Sequence, residues 1–163
     1  PRRDSRLLLL QATCAMPVLF RPIRLDGGIP YLGCGCADAI PGKRALEVGC
    51  DRVVVVLTRE RSYQKEPEQL MPLFRRVYRK YPAFLEDLRT RAERYNQCRE
   101  ELFQMEREGR ILVIAPEDTR GFSRTERDRK KILALWPDGL FAGLRAAEAV
   151  RAFWTEEHLP EEA

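Results

Sequence analysis

The run Asp51-Arg52-Val53-Val54-Val55-Val56-Leu57-Thr58 decides the fold class of this chain. Five consecutive apolar residues without polar alternation are typical of a strand that is covered on both faces, inside a parallel sheet. A second run of this kind, Arg-Ile-Leu-Val-Ile-Ala at 110–115, ends at Pro116. Because a helical pattern separates the two runs, the order of elements predicts an α/β fold with parallel strands.

Helical periodicity accounts for most of the remaining chain. Apolar residues at three- and four-residue steps predict one long helix over 83–108, ended by Gly109. Shorter helices are predicted before Pro17, at 42–49 and at 69–80.

The C-terminal region contains two further helix signals. Ser123 and Glu126 form a capping-box pattern, which predicts a helix over 123–136. The Pro-Asp-Gly sequence at 137–139 predicts a break before a last helix over 140–157.

A hairpin and a loop of small residues lie before the first strand. The runs Ile23-Arg24-Leu25 and Ile29-Pro30-Tyr31-Leu32 flank Asp26-Gly27-Gly28, which predicts two short strands about a turn with positive φ. The loop from Gly33 to Pro41 follows, and its glycines allow the backbone to bend tightly or to approach a ligand closely.

The composition is that of a folded domain with a mild positive charge. Of the 163 residues, 44% are hydrophobic and 33% are charged, and the net charge is +4. Because no basic patch is interleaved with stacking aromatic residues, no nucleic-acid partner is expected. The longest apolar runs are far shorter than a bilayer span, so we expect a cytoplasmic protein.

The cysteines do not form a pattern typical of disulfides or zinc. Their number is odd, which favours reduced thiols. Cys34 and Cys36 are spaced too closely for a zinc knuckle, and inert thiols are more common than a nucleophilic pair. The single histidine, His158, excludes a histidine-rich metal site, and neither a metal nor a cofactor is expected.

The segment Tyr31-Leu32-Gly33-Cys34-Gly35-Cys36-Ala37-Asp38-Ala39-Ile40-Pro41 resembles the Asp-Gly-Gly/Ala loop of bacterial patatin-like serine acyl hydrolases. Further segments match in order and spacing: Gln11–Pro17, the strand at 51–58, Tyr78-Arg79-Lys80-Tyr81-Pro82, Arg94-Tyr95-Asn96 and the strand at 110–116. The resemblance covers most of residues 6–155.

The resemblance implies a particular architecture. The chain, 1–163, would be the C-terminal part of a single patatin-like domain, a three-layer sandwich with a mostly parallel central sheet that is incomplete here. Residues 6–58 would hold the loop region and a core strand. Residues 59–163 would form a helical extension with one further strand.

The family resemblance also implies a chemistry that this chain only partly matches. Patatin-like enzymes cleave acyl lipids and related esters with a Ser–Asp dyad, whose serine lies in Gly-x-Ser-x-Gly and needs neither histidine nor cofactor. No Gly-x-Ser-x-Gly occurs here, and Gly33, followed by Cys34 and Gly35, occupies the position of the dyad aspartate. Two carboxylates remain near this loop. Asp26 is a candidate for a surviving dyad partner, and Asp38 is a candidate for a polar anchor of the loop.

Two functional hypotheses follow, and a third explanation remains open. The chain is a fragment or degenerate member of the acyl hydrolases, inactive alone, with the serine on missing N-terminal sequence. Alternatively, it is a non-catalytic binding or regulatory relative. A sequence error across residues 33–36 would also explain the loop, so whether the chain is an enzyme stays open. The basic stretch suggests a peripheral membrane contact through Arg75, Arg76, Arg79 and Lys80.

Overall fold

The computed structural model describes residues 5–123 and 126–155. The helices are α1 (Ser5–Cys14), α2 (Gly42–Glu47), α3 (Met71–Val77), α4 (Pro82–Arg107) and α5 (Arg129–Thr155). The strands are β1 (Ile23–Arg24), β2 (Pro30–Tyr31), β3 (Val53–Val56) and β4 (Ile111–Ile114). The described chain is therefore mixed helix and strand, as the sequence predicts at the level of fold class.

Strands β3 and β4 form a parallel pair, which confirms the pairing direction expected from the two apolar runs. Val53 lies opposite Ile111, and the register continues to Val56 opposite Ile114. The backbone N–H of Leu57 extends the ladder by donating to the carbonyl of Ile114 at 2.8 Å.

Full coverage of β3 was a wrong expectation. Val53 and Val55 are buried, but Val56 is 70% exposed. Within the described residues, β3 pairs with β4 alone, and the face of the strand that carries Val56 is left partly open at this end.

The chain divides into two compact units, each built from two separate segments. The first unit comprises Pro1–Pro41 and Lys65–Arg99, and the second comprises Gly42–Gln64 and Glu100–Ala163.

The first unit has a small aromatic and aliphatic core. Its buried centre consists of Cys36, Phe74, Tyr78 and Leu88. The hairpin β1–β2 belongs to this unit, and its strands pair antiparallel. Its turn places Gly27 at φ 82° and Gly28 at φ 75°, which confirms the need for glycine there.

The core of the second unit packs α2 against the parallel strands and the end of α4. Leu102 is 1% exposed, and Ile111 is 2% exposed. Gly42 lies so close to this core that a Cβ atom would be 2.7 Å from Leu102 Cδ2 and 3.2 Å from Val55 Cγ2. A side chain at position 42 would require Leu102 to shift within this packed core, so close packing favours glycine.

Helix boundaries follow the sequence in the middle of the chain. Helix α4 spans nearly the whole range expected and ends at a left-handed glycine, Gly109, with φ 71°. Gly49, two residues after the end of α2, has the same left-handed conformation, with φ 92°. Helix α3 is shorter than the expected 69–80.

The C-terminal helix differs from the expectation in two respects. It is one continuous helix, with Pro137 inside it, where a break was expected. Proline removes one N–H from the helix, but the carbonyl of Leu133 that loses this donor lies on a largely exposed residue, where water can replace it.

The capping-box expectation at Ser123 and Glu126 is wrong as well. The helix begins six residues later, at Arg129. Asp128 caps it, because its Oδ1 accepts hydrogen bonds from the backbone N–H of Lys130 at 2.8 Å and of Lys131 at 3.4 Å. No helix in the described ranges is both long enough and apolar enough to cross a bilayer.

Candidate functional site

Gly33 lies in close contact with two backbone carbonyls near the end of α1. Its N–H donates to the carbonyl of Ala15 at 2.8 Å. A Cβ atom at this position would lie 3.0 Å from the carbonyl oxygen of Thr13 and 3.2 Å from that of Ala15. The backbone has φ −54°, which any residue adopts. Close approach to the end of α1, and not backbone conformation, therefore selects glycine here.

Two arginines of α4 hold the loop that follows Gly33. Residues 34–36 form a 3-10 turn, whose last carbonyls have no partner within the turn. Arg91 Nε donates to the carbonyl of Gly35 at 2.6 Å. Arg94 Nη2 donates to Cys36 at 2.9 Å, and its Nη1 donates to Ala37 at 2.7 Å. Three consecutive carbonyls thus receive guanidinium donors, an arrangement we call the arginine clamp.

Acidic and hydroxyl groups fix the orientation of the arginine clamp. The Glu68 carboxylate lies 3.4 Å from Arg91 Nη1, and both side chains are largely buried. The Asp87 carboxylate lies 3.3 Å from Arg94 Nη2, and Arg94 Nε donates to Thr90 Oγ1 at 3.2 Å. Neighbouring side chains of the first unit therefore hold both guanidinium groups in fixed orientations.

The two residues after Arg94 hold a different loop of the same unit. Asn96 Oδ1 accepts from the N–H of Lys65 at 2.8 Å, and its Nδ2 donates to the Lys65 carbonyl at 3.0 Å. The Lys65 ammonium lies 4.9 Å from the ring centroid of Tyr95. The Arg94-Tyr95-Asn96 step thus has a structural role in organising loops, which spacing alone does not reveal.

The two aspartates proposed near the loop have different outcomes. Asp38 is exposed, and within the described part of the chain its carboxylate makes no hydrogen bond or ion pair; its N–H donates to the Cys34 carbonyl at 2.9 Å. The clamp, and not Asp38, anchors the loop. The backbone of Asp26 lies in the hairpin turn, whereas its side chain lies outside the described residues, so its role stays a prediction.

Cys34 and Cys36 occupy different environments. Thr13 Oγ1 donates to Cys34 Sγ at 3.0 Å, and Cys34 is exposed. Cys36 is buried in the core of the first unit. All five cysteines are free thiols in the structure. His158, the single histidine, lies outside the described residues.

An apolar cavity of about 230 Å³ opens beside the loop, within the first unit. We call it the aromatic pocket, because four aromatic residues and one acidic residue are among those that line it. These residues are Tyr31, Tyr78, Tyr81, Phe84 and Asp87. Gly33, Cys34, Cys36 and Ala37 contribute the wall on the side of the loop.

A second, wider cleft lies at the carboxyl ends of β3 and β4, within the second unit. Its volume is about 510 Å³, and Glu60, Arg61, Ser62 and Arg145 contribute to its lining. Parallel sheets commonly bind ligands at this edge.

The charged side chains of this cleft already form hydrogen bonds or ion pairs with other groups of the second unit. Glu60 is buried, and its hydrogen bond from the Thr119 hydroxyl holds the pKa of its carboxyl below the ordinary value. Arg61 forms two hydrogen bonds of 2.6 Å with Glu106. Arg145 lies 2.8 Å from Glu117. These pairs organise the loops at the strand ends.

Metal ligation has no support among residues 5–123 and 126–155, where no group of three or more His, Cys, Asp or Glu side chains could hold an ion.

Part of the chain matches a known family model. A family model described as a domain of unknown function, DUF6363, matches residues 81–155. The match begins one residue before α4 and ends on the last residue of α5, so it covers α4, β4 and α5 as complete elements. Both arginines of the arginine clamp, Arg91 and Arg94, lie inside the matched range, whereas the loop that they hold lies outside it. No curated protein matches the chain.

Proposed function

We propose that this chain is a non-hydrolytic portion, or a degenerate member, of the patatin-like serine acyl hydrolases. The observation that carries the proposal is Gly33, which occupies the position that the dyad aspartate has in the patatin-like family. A Cβ atom at Gly33 would lie 3.0 and 3.2 Å from two backbone carbonyl oxygens. An aspartate at this position would be crowded by these carbonyl oxygens. Their lone pairs would repel its carboxylate, whereas a catalytic carboxylate needs hydrogen-bond donors nearby.

The chemistry of the family supports the absence of hydrolysis by this chain alone. Nucleophilic catalysis by serine requires a base within hydrogen-bond reach and oxyanion donors. The three serines of the chain, Ser5, Ser62 and Ser123, all lie outside any Gly-x-Ser-x-Gly turn. A three-layer sandwich with further parallel strands beside β3 is the fold that we propose for the intact protein.

The role proposed for the chain is therefore scaffolding. The arginine clamp fixes the loop at three carbonyls, and such a loop supplies a rigid wall for an acyl site completed by other sequence. The substrate class, acyl lipids or related esters, follows from the resemblance.

Hydrolysis of p-nitrophenyl butyrate tests this proposal. The purified 163-residue chain is expected to show no more turnover than a heat-denatured sample. A longer in-frame product, if the coding sequence extends upstream, is expected to contain Gly-x-Ser-x-Gly and to lose hydrolysis when that serine is replaced by alanine. Turnover by the 163-residue chain above the denatured control would contradict the proposal.

The alternative is a non-catalytic binding relative, and the aromatic pocket favours it. All of the residues that line the pocket belong to the first unit. A translation start near residue 1, together with ligand binding by this chain, would select this alternative over the enzyme portion.

We also propose a peripheral contact with the cytoplasmic face of a membrane. Arg75, Arg76, Arg79 and Lys80 are all exposed. Beside them, Leu70, Leu73 and Val77 expose 53%, 41% and 50% of their surfaces. Exposed basic groups next to apolar side chains suit an anionic lipid surface.

Vesicle flotation tests this contact. Vesicles with phosphatidylglycerol are expected to carry the chain at low salt, and Arg75→Glu with Arg76→Glu is expected to abolish it. A matched variant, Arg107→Glu with Lys130→Glu, makes the same change in net charge at exposed positions elsewhere and should float normally. Equal flotation of both variants would refute the contact.

A further inference from the structure

We propose that the aromatic pocket binds an alkylated ammonium group, such as a trimethylammonium head. This inference rests on the lining of the pocket and is independent of the proposal about ester hydrolysis. Nitrogen bearing three methyl groups and a chain cannot donate a hydrogen bond, so a site for it needs apolar walls, aromatic rings and a nearby negative charge. The aromatic pocket provides all three.

The inner rings of the pocket are held in fixed positions. Tyr78 and Phe84 pack edge to face, with ring centroids 5.0 Å apart and an interplanar angle of 83°. Tyr78 is 5% exposed, and its hydroxyl accepts a hydrogen bond from the backbone N–H of Val18 at 2.8 Å. Because the polar end of Tyr78 is already satisfied, its ring is available as an apolar wall.

The outer rings leave the pocket open to solvent. Tyr31 is 42% exposed, and Tyr81 is 45% exposed. Tyr31 lies on β2, and the backbone N–H of Tyr81 donates to the carbonyl of Tyr78 at 2.8 Å. A ligand can therefore enter between two rings that are carried by ordered backbone.

Asp87 supplies the negative charge. Its Oδ1 lies 3.3 Å from Arg94 Nη2, which orients the carboxylate, and Asp87 is one of the residues that line the pocket. The arginine neutralises part of this charge, so the rings provide most of the attraction and the carboxylate adds to it. Attraction between a cation and aromatic faces increases as the cation loses water, which happens when it enters between these rings.

Size limits the ligand to a small group. The cavity volume of about 230 Å³ is below the roughly 300–1,000 Å³ of sites for drug-sized molecules. A primary ammonium would lose hydrogen bonds to water that few groups here replace, so the pocket favours the methylated form. Free small cations and lipid headgroups carry this same chemical group.

Titration calorimetry with choline chloride tests the proposal, with 3,3-dimethylbutan-1-ol as the uncharged control of nearly identical shape. Choline is expected to bind the full chain at least tenfold more tightly than this alcohol. Equal affinities would overturn the role of the charge, and no heat with choline up to 50 mM, roughly the weakest binding the assay resolves, would overturn the site.

Variants then identify the residues responsible. Tyr81→Leu is expected to weaken choline binding at least fivefold, whereas Tyr81→Phe retains the ring and should bind normally. Asp87→Asn is expected to weaken binding several-fold, and Glu86→Gln, a neighbouring exposed carboxylate paired with Arg89, should have no effect. Far-ultraviolet circular dichroism confirms that each variant is folded. Equal loss in Tyr81→Leu and Tyr81→Phe would contradict a cation–aromatic contact.

A vesicle experiment separates the two sources of the ligand. Neutral phosphatidylcholine vesicles are mixed with the chain at high salt, with and without excess choline. Flotation that choline abolishes assigns the pocket to a lipid headgroup, and binding of choline without flotation assigns it to a free cation. Flotation unaffected by choline, together with no calorimetric binding, would overturn the proposal. Neither outcome depends on ester hydrolysis.

Discussion

Replacing Arg94 by methionine should loosen the loop at 33–41 within the first unit. Methionine keeps most of the aliphatic volume of arginine but has no donor. The change therefore removes the bonds to the carbonyls of Cys36 and Ala37 and the ion pair with Asp87, while Arg91 still holds Gly35.

The geometry sets the size of the effect. A hydrogen bond to a charged group contributes roughly 1.5–3 kcal/mol, so the two loop carbonyls give an upper limit of about 3–6 kcal/mol. The Arg94 side chain is 38% exposed, so water replaces part of this and screening weakens the ion pair. We expect a loss of about 2–3 kcal/mol in the free energy of unfolding, relative to the typical 5–15 kcal/mol for a domain.

Urea unfolding and amide exchange measure this loss. With a slope of about 1–3 kcal/mol per molar urea, the midpoint should fall by about 0.7–3 M. The amides of residues 36–38, which donate to Gly33 and Cys34 carbonyls, should exchange faster. Arg94→Lys should be intermediate, because one ammonium cannot serve both carbonyls in the arginine geometry.

Arg89→Met is the matched control. Arg89 lies on the same helix, and its hydrogen bonds go to the exposed carboxylate of Glu86. Its midpoint should equal that of the unmodified chain. If Arg94→Met and Arg89→Met unfold at the same urea concentration, the arginine clamp does not stabilise the loop and the reasoning fails.

Three further predictions concern packing and pH. Gly42→Ala should destabilise the second unit by about 1–3 kcal/mol, because the new methyl meets Leu102 at 2.7 Å; adding Leu102→Ala should cost less than it does in the original chain, and strict additivity of the two changes would contradict this contact. The depressed pKa of Glu60 means that its contribution to stability is complete above its ordinary value of 4.5 and is lost as the pH falls through the lower, folded-state pKa; Thr119→Val should reduce this loss, and an unchanged pH dependence of unfolding would count against the pairing. Gly33→Asp should lower the melting temperature without producing ester hydrolysis, and a stable, active variant would show that the position accepts the dyad aspartate.

Local sequence signals predicted most of the elements near the centre of the chain. The apolar runs at 51–58 and 110–115 predicted strands β3 and β4, and the three- and four-residue periodicity predicted α4 almost to its ends. These predictions succeed because periodicity and left-handed glycines act over a few residues. The start of α5 was missed because a nearby aspartate, Asp128, competes with Ser123 as a cap.

The sequence predicted which loop matters but not what holds it. Arg91 and Arg94 lie more than fifty residues from the carbonyls that they bind, and charged residues on a long helix are usually solvated. The resemblance includes the segment Arg94-Tyr95-Asn96, but it does not predict which groups these side chains contact. A signal was present in the spacing of the two arginines, since positions three apart lie on one helix face.

The amino-acid sequence by itself determined the mixed helix-and-strand class, the helix and strand positions in the middle of the chain, the absence of Gly-x-Ser-x-Gly and the glycine at position 33. Each of these depends on residues that are close in the chain or on residue identity alone. Only the tertiary structure decided why Gly33 is small, which groups hold the loop and that four aromatic rings and Asp87 share one cavity. These features depend on contacts between segments distant in sequence, and a single sequence does not encode such distances in any local pattern.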